Sequence, residues 1–267
     1  MSFQYLSKDH NNYVINSKAN FGTGAQVICS KDDILRVLEF SWSMTFGVTG
    51  EHRSFRSGGQ YMRSDLETFI DVFISKLGEV AFFNMCLQRP SVKHITEVDY
   101  ACYGKGQWDS ADFIINQQYH IAIKTTKHFG HLLLLEQKDW STTAGQAIYL
   151  PNQHAQSKGK YDFLFFSRVK TNIKALFKDI RLQKKSITVN DKTAILSQLR
   201  AKLLITLEVV GYVDNATLAY IIDEKYILPQ NATLNGKTRM DASNYYLQSG
   251  FFSKVKINPP NTHAFKI

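Results

Sequence analysis

The chain has 267 residues, 44% hydrophobic and 21% charged, enough apolar material for a packed core in one or two domains. An aromatic share of 13%, with only 15 Gly and 5 Pro, excludes the fibrous, low-complexity and disordered classes. Thirty-two Lys and Arg stand against 23 Asp and Glu, a net charge of +9, which favours a polyanionic partner, nucleic acid ahead of an anionic membrane. Cys29, Cys86 and Cys102 are odd in number and widely spaced, which argues against a disulfide framework and against a Cys-x-x-Cys zinc site. No apolar run approaches the roughly 18 residues that span a bilayer, and Met1 to Tyr13 lacks the apolar stretch of a signal peptide. A soluble, cytoplasmic protein is expected.

Residues 1–64 show weak periodicity around one helix, Lys31 to Phe46, with Ser30 as N-cap and Asp32 and Asp33 in its first turn. A basic, glycine-bearing loop follows, from His52 to Gly59. From Ser64 the pattern sharpens. Ser64 and Glu67 form a capping box, and Leu66, Ile70, Phe73, Leu77, Val80 and Phe83 recur at helical spacing. Ile95 to Tyr103 is β-prone. Asp112 to Ile115 reads as a short strand, Asn116 to Gln118 as a turn, and His120 to Thr126 as the returning strand. Tyr161 to Val169 is dense enough in apolar residues to be a buried strand. Beyond it, Leu196, Leu199, Leu203, Leu207 and Val210 make a helical stripe ended by Gly211, core or dimer packing. Asp214 caps a second short helix through Ile222. The order predicts one α/β domain over residues 1–267, a mixed central sheet with flanking helices. In this reading 1–64 is an N-terminal elaboration, 65–170 the core and 171–267 a mainly helical extension.

The stretch that carries chemistry runs from Asp112 to Lys127. Side chains of a strand alternate between faces, so Ile121 and Ile123 share the core face while position 122 and Lys124 share the other. Folding the hairpin about Gln117 brings Asp112 opposite position 122 or next to it. A carboxylate, a lysine and a small side chain then meet at one sheet edge.

An Asp, a hairpin of about ten residues and a return strand reading His-Ile-Ala-Ile-Lys-Thr-Thr-Lys resemble the PD-(D/E)xK nuclease superfamily, which includes the type II restriction endonucleases. The resemblance covers roughly Leu66 to Lys170. It implies an αβββαβ core and Mg²⁺-dependent, sequence-specific cleavage of double-stranded DNA. It assigns Asp112 to the first metal-binding acid, Lys124 to the lysine that helps the attacking water, and Glu79 to an accessory acid on the preceding helix. The second metal-binding acid falls at position 122, which is Ala122. Ala122 is read as an inactivating substitution. The other readings are a natural change to a non-catalytic DNA-binding module, or migration of the acid to Glu97, Asp99, Asp109 or Glu136.

Arg53 and Arg56 are candidates for base readout, since the guanidinium fork pairs bidentately with guanine. Lys127 and His128, at the exit of the strand, are candidate DNA contacts, as are Lys158, Lys160, Lys184 and Lys185 for the phosphate backbone. No histidine metal site is expected. A homodimer and a structure-selective repair or junction nuclease of the same fold are the remaining alternatives.

Overall fold

The structure is a computed structural model and describes residues 2–20, 22–47, 64–101, 111–152, 154, 157–179, 191–201 and 204–255. In chain order these form β1 (Ser7–Asp9), β2 (Asn12–Val14), β3 (Ala25–Cys29), α1 (Lys31–Phe46), α2 (Asp65–Leu87), β4 (Phe113–Ile115), β5 (Tyr119–Thr126) and β6 (Leu132–Glu136). Next come β7 (Trp140–Thr143), β8 (Gln146–Tyr149), β9 (Phe163–Val169), α3 (Ile173–Asp179), α4 (Asp191–Ala201) and β10 (Ile205–Asp214). The chain continues through α5 (Asn215–Asp223), β11 (Ile227–Leu228), β12 (Thr233–Leu234), β13 (Thr238–Arg239) and β14 (Asn244–Gln248). This is an α/β protein with mixed sheets, as expected.

The long helices start where their caps place them. The Ser30 hydroxyl accepts from the Asp33 N–H while the Asp33 carboxylate accepts from the Ser30 N–H, and Ser64 and Glu67 repeat the arrangement. Two orphan donors of each first turn are thereby satisfied. Asp214 likewise caps α5 by accepting from Thr217 N–H.

The main sheet runs β3–β10–β9–β5–β4, antiparallel except for the parallel β5–β9 pair. One face carries Ile121, Ile123, Phe165, Leu207 and Val209 against Leu38, Phe73 and Leu77 of α1 and α2. The other carries Ala122, Leu164, Phe166 and Val213 against Leu218 and Ile221 of α5, Leu133 of β6 and Leu247 of β14. Burial on both faces is why β9 and β10 read as nearly continuous apolar runs. Gly78 lets α2 approach closely. A Cβ there would collide with the Thr125 hydroxyl and lie 2.7 Å from the Ser167 Oγ, and those two hydroxyls are themselves hydrogen-bonded at 2.9 Å.

The structure departs from the sequence expectations at several points. Residues 95–101 form no strand, only a bridge from Ile95 to Ile115. Backbone pairing stops at this bridge, where Thr96 N–H donates to the Ile114 carbonyl at 3.2 Å; the Thr96 hydroxyl accepts from Ile114 N–H, and the Asp99 carbonyl accepts from the Lys76 ammonium. The stripe through Leu207 and Val210 is not one helix, because α4 ends at Ala201 and β10 begins at Ile205. A bulge between Val209 and Gly211 shifts the strand's register, so Leu207 and Val209 enter one core and Val210 and Val213 the other. Gly211 ends no helix; it admits the Ser253 carbonyl, which would lie 2.6 Å from a Cβ. The described residues of 171–267 supply a central strand and β11 to β14 beside α3, α4 and α5. Finally, the crossover from β5 to β9 holds β6, β7 and β8 and, among the described residues, no α-helix. The αβββαβ order implies one there. The N-terminal elaboration is itself part of the main sheet, since β3 forms its edge.

Candidate active site

The β4–β5 hairpin turns through Asn116 and Gln117, both in the left-handed region at φ 52° and 60°. Asn116 is suited to it because its amide binds locally, accepting from the N–H groups of Lys93 and His94 and donating to the Ser91 carbonyl. The register pairs Phe113 with Ile121 and Ile115 with Tyr119. Its continuation sets Asp112 opposite Ala122, and Asp112 N–H does donate to the Ile121 carbonyl at 3.0 Å. At this point β4 begins and β5 would lose its partner. The Asp112 carboxylate takes over the ladder, its Oδ2 accepting from Ile123 N–H at 2.5 Å.

Lys124 is exposed, two residues along β5 from Ala122, with its ammonium 5.9 Å from the centre of the Tyr149 ring. Ala122 is 4% exposed, opposite Leu164 on the parallel neighbour. The 122 face is not solvent-facing along its length, because the second core covers it at Ala122 and releases it only at Lys124. Surrounding protein pushes the Asp112 carboxyl above the usual carboxylate range, against the Ile123 hydrogen bond and the charges of Lys124 and Lys76. Asp112 as a residue remains exposed.

Glu79 lies on α2, with 14% of its side chain exposed. Burial pushes its carboxyl up. Lys76 pulls against that push, and the charges of Asp112 and Asp99 add to it. The charge of the hairpin acid thus helps hold the helix acid's carboxyl up. Lys76 was not among the expected site residues. Its ammonium donates to Glu79 Oε2 at 2.5 Å and to the Asp99 carbonyl at 2.8 Å. The available signal was a lysine standing between Ile74 and Leu77 on an apolar helix, three residues before a Glu.

The other candidates disperse. Lys127 Nζ is 3.5 Å from Asp71 Oδ1, and His128 is exposed with its ring edge-on to Phe129. Glu97 is exposed, and Glu136 is buried on β6 in a different sheet. Among the described alternative acids, Asp99 alone reaches the cluster, through Lys76 and Glu79. Arg53, Arg56, Asp109, Lys184 and Lys185 lie outside the described residues.

Hard carboxylate oxygens suit Mg²⁺, which wants near-octahedral oxygen coordination. The residues present do not complete such a site. One Glu79 oxygen is held by Lys76, one Asp112 oxygen by Ile123, and Ala122 offers none. Among the described residues no group of three or more His, Cys, Asp or Glu is placed to hold a metal ion. No helix among the described residues is long and apolar enough to cross a membrane. Comparison with protein-family models, curated proteins and solved structures returns no match to this chain.

Proposed function

We propose that this chain has the scaffold of a Mg²⁺-dependent, sequence-specific DNA endonuclease of restriction type and, in its Ala122 form, binds duplex DNA without cutting it. The observation that carries the reading is the hairpin register. It sets Asp112 opposite Ala122, with the exposed Lys124 two residues on and the Glu79 carboxylate in electrostatic reach. That is the juxtaposition the PD-(D/E)xK resemblance implies, and its finer statement, a restriction-endonuclease-like core, belongs to this proposal. In the present chain Lys124 contributes a positive charge toward a phosphate, and Asp112 keeps the end of β4 docked on β5. Hydrolysis would need a metal to neutralise developing charge and to activate water, so no cleavage step is assigned to this form.

A second reading, a DNA-binding module with no catalytic history, draws on the packing of Ala122. It sits among Leu164, Phe166 and Tyr161 as an ordinary core residue. The two readings separate on Ala122→Asp and Ala122→Asn, assayed on plasmid DNA with Mg²⁺ and with chelator. Ala122→Asp is expected to cut with Mg²⁺ and Ala122→Asn to remain inert, because the amide has the shape but not the charge that holds a hard cation. Asp112→Ala or Lys124→Ala added to Ala122→Asp should abolish cutting without additive losses, as expected for groups acting on one centre. An Ala122→Asp protein that binds DNA and never cuts it favours the binding module.

A further inference from the structure

Lys76 is the buried charge that the proposed function leaves unused. Its side chain is 10% exposed, although lysine ordinarily extends its head group to water. Here the ammonium stays inside, bonded to Glu79 Oε2 and the Asp99 carbonyl and 4.5 Å from the centre of the Phe40 ring. A carboxylate, a carbonyl and an aromatic face together replace its hydration. The surroundings, two oxygens with the Asp112 carboxylate acting on the same group, are of the hard-oxygen kind that a divalent cation also takes.

We propose that Lys76 is the resident counter-cation of this acid cluster, occupying Glu79 and supplying the positive charge a divalent ion would otherwise bring. Lys76 and Ala122 then both disfavour a metal ion at the cluster: an acid at 122 would supply the missing ligand, and loss of the Lys76 charge would tighten the hold on the ion. The proposal rests on the nuclease reading only in taking position 122 and Asp112 as the other half of that site. Like charges in a water-poor setting repel strongly, so an ion held by Asp112 and a new acid at 122 would lack Glu79 as a ligand and face an ammonium. Lys76 is a positioning residue: it acts through Glu79.

The test is Mn²⁺ titration of the full chain without DNA, followed by loss of the free-ion EPR signal. Three proteins are compared: Ala122→Asp, Ala122→Asp with Lys76→Met, and Ala122→Asp with Lys76→Arg. The Lys76→Met protein is expected to bind one Mn²⁺ about tenfold or more tightly than Ala122→Asp alone, and the Lys76→Arg protein, which keeps the charge, to show no gain. Equal affinity in all three, or a loss with Lys76→Met, overturns the proposal. Glu79→Gln in the Ala122→Asp background gives a reading that needs no change at Lys76. With Glu79 already occupied, Mn²⁺ affinity should stay within about twofold, and a drop of about tenfold overturns the proposal. DNA cleavage is scored separately. The expected Mn²⁺ pattern without cleavage supports the Lys76 assignment and counts against the nuclease reading alone. Cleavage by Ala122→Asp with no effect of Lys76 overturns the assignment and leaves the nuclease reading in place.

Discussion

Glu79 carries a carboxyl that burial and its acidic neighbours hold above its ordinary range. The sign of the consequence follows from proton counting. Over the interval between the ordinary carboxylate pKa and the raised folded value, the native state binds more protons than the unfolded chain, so stability falls as pH rises through it. Glu79→Gln keeps an oxygen for Lys76 but removes the titration. Its urea midpoint should decline less steeply than that of the unmodified chain between about pH 5 and about pH 8. The flattening should be partial, because the Asp112 carboxyl is shifted in the same direction. Parallel slopes would place Glu79 among ordinary solvated carboxylates. At this scale the hairpin site was legible: alternation of faces and a three-residue turn are enough to set Asp112 opposite position 122 and Lys124 on the same side. Lys76 was legible only in its place between Ile74 and Leu77, three residues before Glu79. Its partner was not, since the Asp99 carbonyl that receives it lies on a segment with no periodicity of its own.

At the scale of elements, α2 and the pair β9–β10 fix the geometry around the site. An Ala in place of Gly ordinarily favours an exposed helix by about 1 kcal/mol. At position 78 the sign should reverse, with Gly78→Ala costing about 1–3 kcal/mol, because the new Cβ meets Thr125 and Ser167 and must push α2 off the sheet. Chemical denaturation reads the sign directly. Across β9 and β10, Arg168 donates through Nε and a terminal nitrogen to Glu208 Oε2, with only 2% of the Glu208 side chain exposed. Arg168→Met would leave that carboxylate buried, with the Lys170 ammonium 3.9 Å away. The expected cost is about 3–5 kcal/mol, the range for removing one member of a buried pair. β10 shows why part of the fold escaped the sequence. Leu196, Leu199, Leu203, Leu207 and Val210 match a helical period, yet a strand buried on both faces also places apolar residues at every position, and the bulge at Val209 and Gly211 breaks the alternation that would have distinguished it. The strand at 95–101 failed for the opposite reason: its β-prone residues are present, but pairing stops at the Ile95–Ile115 bridge, and beyond it the Asp99 carbonyl is taken by the Lys76 ammonium.

For the whole molecule, nine excess positive charges and the exposed Lys124 two residues along β5 from Ala122 are what the proposal of a polyanionic partner rests on. Ala122→Asp bears on what the site can be made to do; binding by the unmodified chain bears on what it does now. Each phosphate neutralised by Lys or Arg releases condensed counterions, so affinity for duplex DNA must fall steeply with salt if such contacts carry it. The measurement is fluorescence anisotropy of a labelled duplex with the unmodified chain, in chelator, from about 50 to about 200 mM salt. The account predicts binding without cleavage and a loss of affinity of about 10³-fold over that range. Affinity that stays flat, or no binding at the lowest salt, would contradict it.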